Sequence, residues 1–147
     1  MVDQPRLLRG GCHCGNVRIE FGTSRDPAEL SPRVCDCSFC TKHGASYVSD
    51  PHGSLSIEAR GLDVLSEYRH GAEIARFLVC RCCGVLIAVV FDDAAGIYGT
   101  LNARCLEDAV EFGPAQVVSP RRFSAEEKRR RWAKLWTPGV KLVVSGG

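Results

Sequence analysis

Phe77-Leu78-Val79-Cys80-Arg81-Cys82-Cys83-Gly84-Val85-Leu86-Ile87-Ala88-Val89-Val90-Phe91 is the stretch that decides how this chain folds. The apolar run from Val85 to Phe91 is too short for a typical helix and rich in β-branched residues, so it reads as a central strand buried on both faces. Upstream, Leu65–Tyr68 and Ile74–Val79 flank a segment containing Gly71, which allows a positive-φ turn. That is the pattern of a β-hairpin delivering Cys80 to its end. A mainly β protein with a Cys-x-x-Cys loop between strands follows.

Working outward, Val17–Phe21 and Leu55–Ala59 alternate apolar and polar residues, the period of strands with one buried face. Ile97–Leu101 supplies another strand, and the segment from Lys42 to Val48 reads as a loop-to-strand passage out of the cysteines before it. Only Ser124–Leu135 looks helical, with Ser124 as N-cap and Glu127 completing a capping box. This helix is expected to dock through Trp132 and Leu135, with its basic run Lys128–Arg131 a solvated face.

The 147 residues suit one domain, 1–147, and 45% hydrophobic with 24% charged residues place it among ordinary globular chains rather than disordered ones. Met1–Gly10 lacks the apolar core of a signal peptide, and no apolar run is long enough to span a membrane. Nine cysteines in short paired spacings without an export signal point to metal ligation in a reducing compartment, hence a cytoplasmic protein. Zinc-bound cysteines are thiolates, so four around one ion contribute −2 and three around another −1, which takes the formal charge of +2 to −1. A nucleic-acid partner, which needs a concentrated positive surface, is therefore not expected.

Seven cysteines fall into three clusters, Cys12-x-Cys14, Cys35-x-Cys37-x-x-Cys40 and Cys80-x-x-Cys83. In extended chain Cys12 and Cys14 point to one side, while Cys80 and Cys83 form the complementary turn, with Gly15 and Gly84 after each half. Together they make a closed four-thiolate site of the structural kind. Cys82 could replace Cys83 in that set, although Gly84 favours the x-x spacing, and Cys105 reads as a buried residue without a role. Cys35, Cys37 and Cys40 converge on a second ion and leave one position open for chemistry, unless His43 or, less readily, His13 closes it.

The segments Gly10–Arg18, Cys35–Ala45 and Phe77–Gly84, with Gly99-Thr100-Leu101, resemble the glutathione-dependent formaldehyde-activating family, also called the centromere-protein-V/Gfa domain, over about residues 10–102. The resemblance implies a β-tent of antiparallel sheets, a structural zinc on Cys12, Cys14, Cys80 and Cys83, and a catalytic zinc on Cys35, Cys37 and Cys40. It also implies a carbon-sulfur lyase activity that joins glutathione and formaldehyde into S-(hydroxymethyl)glutathione. Asn102 stands where many members carry an aspartate, and the segment 103–147 follows no family pattern.

The chemistry expected is ionisation of a small thiol beside the three sulfurs and its attack on an aldehyde carbon to give a hemithioacetal. His43 is the nearest titratable candidate to give a proton to the new oxygen or to support the metal loop, with Lys42 and Tyr47 as alternatives. A second reading is a non-catalytic zinc-stabilised module that binds a protein or nucleic acid. A redox protein fits poorly, since no βαβ pattern accompanies the Cys-x-x-Cys and no iron-sulfur spacing is matched.

Overall fold

A computed structural model describes residues 6–71, 73–108 and 110–145. The chain is mainly β, in two sheets. The first has the order β1-β2-β5-β11, from strands Arg6–Gly11 (β1), Val17–Thr23 (β2), Ser54–Arg60 (β5) and Lys141–Ser145 (β11). The second has the order β10-β3-β4-β9-β8-β7-β6. Its strands are Arg33–Cys35 (β3), Tyr47–Val48 (β4), Leu65–Tyr68 (β6), Ala75–Cys80 (β7), Leu86–Asp93 (β8), Gly96–Asn102 (β9) and Gln116–Val118 (β10).

The β6–β7 hairpin forms as expected, with Leu65 opposite Cys80 and Tyr68 opposite Phe77, and residue 72 of its turn lies outside the described residues. Strand β8 lies between β7 and β9, and Leu86–Phe91 is buried throughout. Its two faces feed two cores. Ala88 and Val90 join Ile19, Phe21, Ile57 and Leu101 between the sheets, whereas Val89 and Phe91 join Tyr47, Phe77 and Trp136 on the opposite side. Fully burying one such aliphatic or aromatic side chain contributes about 1.5–3 kcal/mol.

Two features differ from the expected architecture. Both sheets are mixed rather than purely antiparallel, because β11 runs parallel to β5 and β10 parallel to β3. Both parallel strands come from the part of the chain after residue 102, whose sequence lacks the strict alternation that would have flagged them. The segment leaving the cysteine cluster begins as a helix, Ser38–His43 (α1), and only Tyr47–Val48 is strand. Its N-cap is the Cys37 sulfur, which accepts the Cys40 N–H at 3.4 Å, a cap that rules based on oxygen donors overlook. Gly44, at φ 61°, closes the helix in the left-handed region.

The C-terminal helix Ala125–Leu135 (α2) has the expected capping box, with the Glu127 N–H donating to the Ser124 hydroxyl at 3.2 Å. It docks through Trp132, which stacks on Trp136 at 4.5 Å and lies against Phe91. Leu135 remains 41% exposed and does not share in that docking. The buried anchor is Trp136, one residue beyond the helix, because the chain leaves helical geometry there and turns its side chain into the second core. No helix among the described residues is long and apolar enough to cross a membrane.

Candidate metal centres and the cavity beside them

The first cluster joins the two sheets. Cys12 and Cys14 lie in the loop between β1 and β2, closed by the Cys12 N–H donating to the Val17 carbonyl at 3.0 Å. Cys80 ends β7 and Cys83 lies in the loop from there to β8, closed by the Gly84 N–H donating to the Cys80 carbonyl at 2.8 Å. Gly15 and Gly84 adopt φ of 86° and 81°, conformations that side-chain-bearing residues rarely take. The four sulfurs lie within 4.8 Å of one another, and Cys14 Sγ is 3.6 Å from Cys12 Sγ and 3.7 Å from Cys80 Sγ.

Those separations fit a metal. Four sulfurs at about 2.3 Å from a tetrahedral zinc stand about 3.8 Å apart, whereas a disulfide needs about 2.0 Å. All nine cysteines are free. Cys82 is exposed and outside the group, so Cys83 supplies the fourth sulfur of the group, and His13 is exposed and belongs to neither cluster. Burial works against ionisation at Cys83, yet the backbone N–H groups of Cys14 and Val85 and the Cys80 thiol draw it down to about 6. Cys105 is buried, as expected, donates to the Leu86 carbonyl at 3.4 Å, and is pushed up to about 12 by burial and by the nearby thiols of Cys12 and Cys83.

The second cluster is local. Cys35 ends β3, Cys37 caps α1, and Cys40 lies on the buried face of that helix, so three sulfurs within six residues fall within 4.8 Å of one another. A hydrogen bond from Cys40 draws the Cys35 thiol down to about 6 against the opposing effect of burial. The same hydrogen bond and burial push Cys40 up. One member of each cluster is thus inclined to ionise, which suits thiolate ligation. No fourth Cys, His, Asp or Glu joins this group among the described residues.

A cavity of 590 Å³ opens beside the three sulfurs. Its floor is one face of the second sheet, where the cross-strand row Phe77, Val89 and Thr100 continues toward Tyr47, Arg33 and Cys35. Its roof is the C-terminal segment, including Val118, Arg121, Lys128, Arg131, Trp132 and Trp136. Asp36, between two of the cysteines, ties roof to floor: the Ser119 hydroxyl donates to its carboxylate, Arg121 lies 3.4 Å from it, and its N–H donates to the Val118 carbonyl at 3.0 Å.

The basic run of α2 is not only a solvated face, since the half-buried Lys128 and the exposed Arg131 border this cavity, whereas Arg129 and Arg130 are exposed away from it. His43 is exposed at the end of α1, its ring 4.6 Å from Phe39, and it does not line the cavity. Neither does Lys42. Tyr47 does, with its hydroxyl 3.1 Å from Cys40 Sγ, and burial followed by the nearby thiols pushes that hydroxyl up so that it stays protonated. The imidazole of His70 also borders the cavity among Phe39, Tyr68 and Phe77, pushed toward its neutral form by burial and by Lys128.

Sequence reasoning missed Arg33 and His70. Arg33 was within reach of it, because in an extended chain the residue two before Cys35 projects to the same face. Asn102 is also explained: its amide donates to the buried Leu86 carbonyl at 2.9 Å, a bond that an ionised aspartate, having no hydrogen to give, could not make.

The sequence model of the family described as "Glutathione-dependent formaldehyde-activating enzyme" matches residues 7–120, a longer span than the 10–102 read from motifs alone. A crystal structure of a Rhodobacter sphaeroides protein, solved as a structural genomics target, is 28% identical with a TM-score of 0.55. The match covers 74% of this chain and 100% of that one.

Proposed function

Because this chain belongs to the glutathione-dependent formaldehyde-activating enzyme family, we propose that it is a zinc-dependent carbon-sulfur lyase or synthase joining a small thiol to an aldehyde. Glutathione and formaldehyde, giving S-(hydroxymethyl)glutathione, are the leading pair. The observation that carries this reading is a three-sulfur cluster with no fourth metal-ligating side chain in its group among the described residues, set in the wall of a 590 Å³ cavity. In this reading the whole chain is one domain with a zinc ion at each cluster. The four-cysteine ion is structural and the three-cysteine ion catalytic. The reducing cytoplasm fits nine free cysteines.

A zinc ion held by three thiolates supplies, when bound, an open Lewis-acid position at which a thiol ionises near neutral pH. The residues around it do the rest. The anionic charge of Cys35, Cys37 and Cys40 keeps the incoming sulfur electron-rich, which matters because a thiolate that is too stabilised is a poor nucleophile. Phe77, Val89 and Trp136 exclude water from the reacting carbon. As the carbon-sulfur bond forms, the carbonyl π pair moves to oxygen, and the proton given up by the thiol ends on that oxygen. Tyr47, rather than His43 or Lys42, is the hydroxyl placed in the cavity to donate to the developing oxyanion.

The test is zinc stoichiometry on air-protected protein, combined with the rate of adduct exchange between glutathione and formaldehyde followed by NMR. Wild type is expected to hold zinc at both clusters and to accelerate exchange, and Cys40→Ser to lose the second zinc and the acceleration. A Cys40→Ser protein with both zincs and full activity would rule the mechanism out. Wild type with both zincs and no response to thiols would point instead to the non-catalytic module.

A further inference from the structure

Arg33 is a mostly buried cation that lines the same cavity as the three-cysteine cluster and has no counter-ion among the described residues. We propose that it is the receptor for a carboxylate on the thiol substrate, so that the site selects anionic thiols. The inference rests on the function proposed above for the thiol itself, while the binding of the carboxylate can be measured without it.

The guanidinium is already fixed in place. Its Nη2 donates to the Ser49 hydroxyl at 2.5 Å and to the Thr100 hydroxyl at 3.2 Å. Those hydroxyls in turn donate to the Leu135 carbonyl at 2.7 Å and the Val48 carbonyl at 3.2 Å, so their hydrogens are committed and only lone pairs face the arginine. Ser49 and Thr100 are 5% and 2% exposed. Two neutral acceptors orient a cation without neutralising it, and a cation withdrawn from water is costly until an anion meets it. Nη1 and Nε make no hydrogen bond to a described residue, which leaves their N–H groups to donate to an anion.

The position suits a substrate group. Arg33 and Cys35 are two apart on β3, on one face and about 7 Å apart along the strand. Tyr47 is the cross-strand partner of Arg33. A carboxylate held by Arg33 would therefore lie in the same cavity as a sulfur placed at the three cysteines. The surroundings agree in sign: Arg121, Arg122, Lys128 and Arg131 line the cavity against a single carboxylate among the described residues, that of Glu73. Arg121 is already engaged by Asp36, and Arg131 lies 4.3 Å over the Phe123 ring. These rim cations draw in an anion, and Arg33 is the one held rigidly enough to choose its geometry.

The experiment is calorimetric titration of the zinc-loaded full chain with S-methylglutathione, which keeps both carboxylates but has no thiol, and with its dimethyl ester. Wild type is expected to bind the diacid about tenfold or more tightly than the diester. Arg33→Gln is expected to lose that preference, and Arg33→Lys, which keeps the charge but not the fork, to keep part of it. Zinc content and melting temperature establish that each variant is folded, and Arg33→Lys answers the question if Arg33→Gln is not. The proposal is overturned if wild type does not distinguish acid from ester, or if the folded Arg33 variants keep the full preference. A preference that Arg33→Gln abolishes, in a protein without thiol-aldehyde activity, would uphold the carboxylate receptor and sink the proposed reaction instead.

Discussion

The hydroxyl of Tyr47 lies 3.1 Å from the sulfur of Cys40, bringing strand β4 and helix α1 together at the floor of the cavity. In the proposed reaction this contact places a proton donor beside the three-cysteine cluster. Tyr47→Phe removes the donor and leaves the ring, so both zincs are expected to remain while turnover of thiol and aldehyde falls about a hundredfold. Zinc analysis alongside adduct-exchange kinetics decides it. Unchanged turnover would take Tyr47 out of the reaction.

The four-cysteine cluster spans two hairpin loops from different sheets, so its metal is expected to hold the sheets together. Cys83→Ser should lose one zinc and lower the melting temperature by at least about 10 °C, because binding free energy at such a site is folding free energy. Cys82→Ser, at the exposed neighbour, should keep both zincs and melt within about 2 °C of wild type. Thermal unfolding with metal analysis distinguishes the two, and equal behaviour would put the wrong cysteine in the cluster.

In metal-stripped, folded protein Cys35 and Cys83 are each drawn down to about 6. A depressed thiol is ionised above its own value and protonated below it. Alkylation at these two positions should therefore rise through about pH 6 and reach its plateau by about pH 7.5, where ordinary thiols near 8.5 remain largely protonated. Cys40, pushed up in the same cluster, should react last of the three. Mass spectrometry across pH gives the order, and zinc should protect every cluster cysteine.

Gly10 has no room for a side chain. A Cβ there would meet the Cys105 carbonyl oxygen at 2.0 Å and the Leu106 Cα at 2.7 Å, where the chain after β9 bridges back onto β1. Gly10→Ala is expected to cost about 1–3 kcal/mol through this overlap, read as a lower urea midpoint. The opposite substitution in open space, Leu62→Ala at a residue 88% exposed, should change stability by less than about 0.5 kcal/mol.

The partition of seven cysteines was legible because ligand convergence is set locally: an x spacing in extended chain and an x-x spacing across a glycine turn each place two sulfurs on one side. The buried strand Leu86–Phe91 was legible for a similar reason, since a continuous apolar run needs cover on both faces. The short helix carrying Cys40 was hidden because its cap is a sulfur, and the parallel strands β10 and β11 because their partners lie over 80 residues away in sequence.

By itself, then, the sequence determined a mainly β chain and two unequal groups of sulfurs, properties written in spacings of a few residues. Only the tertiary structure decided that Tyr47 rather than His43 faces the three-sulfur group, that Arg33 lines the same cavity without a counter-ion among the described residues, and that residues 118–136 roof the cavity. Those facts come from packing one sheet face against a segment about a hundred positions downstream. No local pattern encodes that meeting, because it is set by which buried surfaces cover one another once the chain has folded.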